Sequence, residues 1–106
     1  VASPFKLAAQ GVQVISGVTE GFFTWLATNH ALRRLANTSA PTLGCIDMGG
    51  ASAQLAYEVS QEAAALQRSA NMFSFQNRTI VSSTLLGFGA NEVRRRYVEE
   101  LAETPD

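Results

Sequence analysis

Asp47-Met48-Gly49-Gly50-Ala51-Ser52-Ala53-Gln54 is the stretch on which the reading of this chain turns. Before it, Leu43 to Ile46 is a short, mostly apolar run containing Cys45. After it, Ala53, Leu55, Tyr57 and Val59 alternate with Gln54, Ala56 and Glu58, the period-two pattern of a half-buried strand. The stretch therefore joins strand to strand. Two adjacent glycines carry no Cβ and take positive φ at little cost, so a hairpin built on them can point backbone N–H groups at a phosphate that approaches the main chain closely. A loop between strands brings no helix dipole of its own. The negative charge would be met by the N–H groups, by the Ser52 hydroxyl and by a metal ion that Asp47 helps to hold. The same residues also suit an ordinary tight hairpin turn with its glycines at the positive-φ positions.

Upstream, Val12-Gln13-Val14-Ile15-Ser16 reads as a buried strand closing at Gly17. Thr19 is the expected N-cap of the next element and Glu20 falls in its first turn. Phe22, Phe23, Trp25, Leu26, Leu32 and Leu35 then recur at helical spacing out to Ala36. Glu20 would thus sit at a helix N-terminus beyond the C-terminal edge of a strand, where ligands gather in α/β folds. A carboxylate there also serves simply to stabilise the helix end. Trp25 and Asn29 are one turn apart and face the same way, and Trp25 reads equally as core. His30 reads as a solvated or locally satisfied side chain.

The composition sets bounds. With 106 residues, 46% of them hydrophobic and 16% charged, the chain has the size of one domain and enough apolar material for a core. A net charge of −1 and a pI near 5.8 offer no basic field for nucleic acid or an anionic membrane, so any phosphate contact must be local. One cysteine excludes an internal disulfide, and Cys45 reads as a small buried hydrophobe. No run approaches the roughly 20 apolar residues that span a bilayer. The chain starts at Val1 and stops at Asp106 just after a helix-like segment, and it reads as an excerpt of a longer polypeptide.

Downstream, residues 60–70 are Ala-rich and polar and read as a surface excursion with one or two helical turns. Met72 to Phe75 and Thr79 to Leu86 read as strands around a turn at Gln76-Asn77-Arg78. Gly87-Phe88-Gly89 breaks the pattern. A helix is expected over 90–102, with Val93, Tyr97, Val98 and Leu101 on one side and Arg95–Glu99 and Arg96–Glu100 pairs on a solvated one. Asn37-Thr38-Ser39 and Asn77-Arg78-Thr79 match the N-glycosylation pattern, which tilts the expected location toward the secretory lumen or the cell exterior. The element order favours an α/β architecture with a mixed sheet.

Three stretches together resemble the apyrase family of nucleoside triphosphate diphosphohydrolases, within the actin, heat-shock ATPase and sugar kinase superfamily. Ile15 to Gly21, with Trp25 and Asn29 behind it, is similar to that family's third conserved region. Asp47 to Gln54 is similar to the fourth, its second phosphate-binding loop, and Ser83-Thr84-Leu85-Leu86-Gly87-Phe88-Gly89 to the strand end and turn that follow. The resemblance implies an α/β, partial ribonuclease H-like (actin-like ATPase) fold, incomplete as a stand-alone domain. The lobe crossover would fall near 17–40 and the second lobe would begin over about 41–106.

The implied activity is hydrolysis of the terminal phosphates of nucleoside tri- and diphosphates. By the same resemblance Glu20 is the catalytic base that deprotonates the attacking water, and Gly49, Gly50, Ala51 and Ser52 hold the phosphate. Ser52 also lies near the water that Gln54 orients, and Asp47 supports Mg²⁺ or Ca²⁺ through bound water. Ala53 stands where the family commonly has Thr. The first phosphate loop, the second conserved region and a grip for the base are not in these residues, so the rest of the polypeptide or a companion chain would complete the cleft and these residues alone would be inactive. Two alternatives are an exopolyphosphatase-type phosphohydrolase and a non-catalytic nucleotide-binding or interaction module. The polyphosphate branch tends to have Ala, a third Gly and Glu where Gly21, Ala51 and Gln54 stand here.

Overall fold

The computed structural model describes residues 3–9, 11–37, 39–66 and 71–104. Its elements are α1 (Gly17–Ala31), β1 (Cys45–Met48), β2 (Ser52–Val59), α2 (Gln61–Leu66), β3 (Met72–Phe75), β4 (Arg78–Leu86) and α3 (Ala90–Glu103). The strands form one sheet in the order β1-β2-β4-β3. Every pairing is antiparallel, so the expected mixed sheet is corrected to an antiparallel one.

The mixed sheet was to include a strand at Val12 to Ser16, and that segment is not a strand here. Val12 is 86% exposed and Val14 fully so. An apolar alternation becomes a strand only when its N–H and C=O groups find a ladder partner, and none of the four strands pairs with this segment. Glu20 consequently follows an extended lead-in and does not stand at the end of a strand.

Helix α1 starts earlier than expected, because Ser16 and not Thr19 is its N-cap: Ser16 Oγ accepts the Thr19 N–H at 3.3 Å. It also ends earlier, at Ala31 instead of Ala36. Arg33 takes φ 56°, its N–H donates to His30 O at 2.9 Å, and the Arg34 N–H donates to Asn29 O at 2.9 Å. This left-handed cap usually carries glycine, which is why periodicity ran past it. Leu35 then turns back into the core.

The sheet turns one face to α1, and strict alternation with the observed register puts Cys45, Asp47, Gln54, Ala56, Glu58, Phe73, Phe75, Arg78, Ile80, Ser82 and Thr84 on it. Trp25 and Ile80, both 0% exposed, and Ala56 centre the core there. Phe22 stacks on Phe73 with centroids 4.5 Å apart, and Trp25 meets Phe75 edge-on at 6.5 Å. The core reading of Trp25 therefore holds.

Asn29, also fully buried, fastens helix to sheet. Its Nδ2 donates to Trp25 O at 2.9 Å and to Leu43 O at 3.0 Å, and its Oδ1 accepts the Leu43 N–H at 2.8 Å. At the other end of the same face, Arg78 Nη1 donates to both Glu58 oxygens, at 2.8 and 3.1 Å, while Nη2 donates to Asn37 O and Ala40 O. A carboxylate opposite and two backbone carbonyls beside it make the burial of this guanidinium tolerable.

The β3–β4 connection is a two-residue turn with Gln76 at φ 48° and Asn77 at φ 61°, the left-handed pair that matches strand twist. Asn77 is exposed at its tip, and so is Asn37 in its loop. Helix α2 supplies the short helical stretch expected within 60–70, of which 67–70 lie outside the described residues. In α3, Arg95 pairs with Glu99 at 2.8 Å as expected, but Arg96 lies over the Phe88 ring at 5.0 Å where a Glu100 pair was expected. The aromatic face lies within reach of the guanidinium and competes with a solvated carboxylate.

Candidate functional site

The register aligns Asp47 opposite Gln54 and Gln54 opposite Thr84, one row across three strands. Helix α1 lies along that row. Gly17 meets Thr84, Gly21 meets Gln54 and Ser82, and Thr24 donates its hydroxyl to Asp47 Oδ2 at 2.9 Å. The geometry closes numerically. Seven residues of helix rise about 10.5 Å, and two inter-strand spacings cover about 9.6 Å.

The glycines are what let the helix descend so far. A Cβ at Gly17 would overlap Thr84 Oγ1, and one at Gly21 would overlap Ser82 Oγ and come to 3.3 Å from Gln54 Cβ. Ser82 Oγ meanwhile donates to Val18 O at 2.7 Å, a further tie between β4 and the first turn of α1. Glu20 lies in that first turn, exposed, one turn before Thr24 on the same side of the helix. The structure thus brings the helix turn of Glu20 and the side chains of Asp47 and Gln54 to one end of the sheet.

Gln54 is 2% exposed, and its Nε2 donates to Ser52 Oγ at 2.8 Å and to Thr84 Oγ1 at 3.1 Å. Ser52 is half-buried, whereas Gly49, Gly50 and Ala51 are exposed at the crest of the β1–β2 turn.

The turn differs from expectation in two respects. Neither Gly49 nor Gly50 has a positive φ. Closeness is demanded at Gly89 instead: a Cβ there would stand 2.5 Å from Gly50 C and O and from Ser52 N, whereas one on Gly50 would meet only the movable Asn91 Nδ2 at 2.9 Å and one on Gly49 would make an ordinary 3.4 Å contact with Ser52 O. Secondly, a helix N-terminus does serve the loop, from behind. The N–H groups of Ala90 and Asn91, which open α3, donate to Gly49 O at 2.9 Å and Gly50 O at 3.0 Å, and Gly87 N–H donates to Ala51 O at 2.8 Å.

In a planar trans peptide the N–H points opposite to its carbonyl. Tying back the carbonyls of Gly49 and Gly50 therefore turns the N–H groups of Gly50 and Ala51 away from α3. Among the described residues neither has an acceptor. Two adjacent N–H groups without an acceptor, on a turn backed by the positive end of a helix dipole, are open to an anion.

Asp47 is half-buried, with one oxygen engaged by Thr24 and the other unengaged among the described residues. No group of three or more His, Cys, Asp or Glu side chains gathers among the described residues. The one open oxygen of Asp47 can accept a hydrogen bond from the water shell of a hard divalent cation.

Beside Asp47 on β1, burial pushes the Cys45 thiol above its ordinary 9.0; a backbone hydrogen bond at Ala56 works in the opposite direction and the Asp47 charge adds to the rise. That environment favours the inert thiol and matches the reading of Cys45 as a small hydrophobe.

Thr24, Ser82, Thr84 and the α3 entry were not given roles from the sequence. Thr24 carried a legible signal, seven residues after Gly17 and four after Glu20. Pairing between distant strands was needed to see the others.

The family model of the GDA1/CD39 (nucleoside phosphatase) family matches residues 1–106. The chain is 38% identical to a Golgi apyrase of Schizosaccharomyces pombe over 104 residues, covering 91% of this chain and 18% of that protein. It is 32% identical to nucleoside-triphosphatase ntp-1 of Caenorhabditis elegans over 108 residues, covering 93% of this chain and 20% of that protein. Against probable apyrase 5 of Arabidopsis thaliana the identity is 32% over 100 residues, 94% of this chain and 20% of that protein. The chain spans about a fifth of the length of these curated relatives. On the match along its entire length, the chain belongs to the GDA1/CD39 (nucleoside phosphatase) family.

Proposed function

We propose that these residues form part of the catalytic cleft of an apyrase-type nucleotide phosphohydrolase that removes terminal phosphates from nucleoside tri- and diphosphates. The observation that carries the reading is the Asp47–Gln54–Thr84 row, held under α1 beside a turn whose carbonyls are tied back to the start of α3. The N–H groups of Gly50 and Ala51 bind oxygens of the phosphate, with Gly49 giving the main chain its close approach. Ser52 adds a hydroxyl. Gln54 has both amide hydrogens engaged, so it meets the attacking water through Oε1, as an acceptor. Glu20 takes the proton of that water as it attacks in line. Phosphoryl transfer needs little covalent help, so most of the rate comes from positioning and charge neutralisation. A divalent cation, Mg²⁺ or Ca²⁺, held by Asp47 through water, supplies that neutralisation when bound.

In this reading the sheet belongs to a ribonuclease H-like, actin-like fold, with the crossover between lobes near 17–40 and the second lobe beginning over 41–106. The remainder of the polypeptide, or a companion chain, contributes the opposite wall of the cleft. The 106 residues alone do not turn over nucleotide. Golgi apyrases among the relatives and the two exposed sequon asparagines support passage through the secretory lumen. Gly21, Ala51 and Gln54 weigh against the polyphosphate alternative.

The test is phosphate release from ATP, ADP and polyphosphate by the full-length protein with Mg²⁺, with Ca²⁺ and with chelator, beside Glu20→Gln. Metal-dependent nucleotide turnover that collapses in the variant is expected. Turnover of polyphosphate alone would favour the polyphosphate branch, and no turnover of any substrate would leave a binding module.

A further inference from the structure

We propose that Thr84 is the positioning residue for Gln54, fixing the plane of its amide so that only Oε1 is presented to the attacking water. The inference rests on the reading of Gln54 as the residue that orients that water.

The terminal torsion of a glutamine is a broad well, and one hydrogen bond does not fix it. Two do. Gln54 Nε2 donates to Ser52 Oγ two residues away on its own strand and to Thr84 Oγ1 directly opposite on β4, so the two acceptors lie in different directions and define the amide plane. Both hydrogens are thereby spent. With the side chain 2% exposed, loss of either acceptor would leave a buried N–H unpaired and favour rotation of the amide.

Ser52 cannot do this alone. It opens β2 beside the turn, and its hydroxyl accepts from Gln54 while also being the one proposed to meet the phosphate. Thr84 is the acceptor outside the loop. Its own position is set by α1: Gly17 lies so close that a Cβ there would overlap Thr84 Oγ1 and stand 2.8 Å from Thr84 Cβ. Thr84 therefore touches both the water-orienting amide and the first residue of the helix that carries Glu20 three positions later. One hydroxyl relates the position of the base to the orientation of the water acceptor.

The experiment compares Thr84→Val, Thr84→Ser, Gln54→Ala and the double variant Gln54→Ala/Thr84→Val in the full-length protein. It reads kcat and KM for ATP together with the melting temperature. Valine keeps the shape and removes the acceptor. Its kcat should fall roughly 10-fold, the worth of one hydrogen bond, with KM changed less than about twofold and the protein still folded, its melt lowered no more than one unpaired N–H accounts for. Serine should restore kcat, and the double variant should be no slower than Gln54→Ala alone. If Thr84→Val does not fold, Thr84→Ala is read in the same way.

An active parent protein with an unaffected Thr84→Val, a serine variant no better than valine, or effects that add fully in the double variant would each overturn the proposal while leaving the phosphohydrolase reading intact. An inactive parent would overturn both.

Discussion

Thr24 and Asp47 are joined across the helix–sheet interface, the threonine hydroxyl donating to Asp47 Oδ2 at 2.9 Å. One carboxylate oxygen is thereby anchored and the other keeps a fixed outlook, which matters if Asp47 holds the water shell of a cation. Thr24→Val should raise the Mg²⁺ or Ca²⁺ concentration for half-maximal phosphate release several-fold and change the melt little. Metal titration of the full-length variant checks this, and an unchanged titration would separate Thr24 from the cation.

The Asn29 side chain replaces a missing piece of backbone pairing, satisfying both the N–H and the C=O of Leu43. Asn29→Ala strips both partners from the part-buried Leu43 backbone, and a loss of about 1–3 kcal/mol is expected. Urea unfolding of the full-length protein measures it.

Gly89 touches the loop through backbone atoms, which cannot swing aside. Gly89→Ala should therefore push the crest of the Gly49–Ser52 turn away from α3 and weaken phosphate capture. A rise in KM for ATP of at least tenfold is expected, with circular dichroism confirming retained secondary structure. An unaltered KM would mean that the α3 contact does not set the turn.

For Cys45 the sign of the pH effect follows from burial. The folded state holds the proton more tightly than the unfolded chain, so the stability tied to the neutral thiol is fully present below the ordinary value of 9.0 and is lost as pH rises through the higher folded value. Melting temperature should fall as pH rises above the ordinary 9.0, and Cys45→Ala should flatten that slope. Alkylation of Cys45 in the folded protein should also be slow at pH 8.

Asn77, at the exposed tip of a two-residue turn, and Asn37 in its loop are both presented outward. Expressed through a eukaryotic secretory pathway, the protein should gain mass removable by a peptide-N-glycosidase, and Asn77→Gln should remove part of it. An unshifted band would argue against luminal passage.

Sequence alone determined the elements whose partners are neighbours in the chain. The β1–β2 hairpin, the β3–β4 hairpin, α3 and the place of Glu20 in a first helical turn all follow from local periodicity, turn chemistry and capping, which act over a few residues. The same local rules misread Val12 to Ser16, since a strand exists only with a partner, and overran the end of α1, since Arg33 occupies a backbone region usually left to glycine. Tertiary structure alone decided the rest. Gln54 meets Thr84, Asp47 meets Thr24 and the Gly49–Gly50 carbonyls meet the start of α3 across sequence separations of 30, 23 and about 40 residues. Those contacts are set by strand register and by how closely a glycine-bearing helix can approach the sheet. Neither quantity is written in any window of the sequence, because each depends on shape on both sides of an interface.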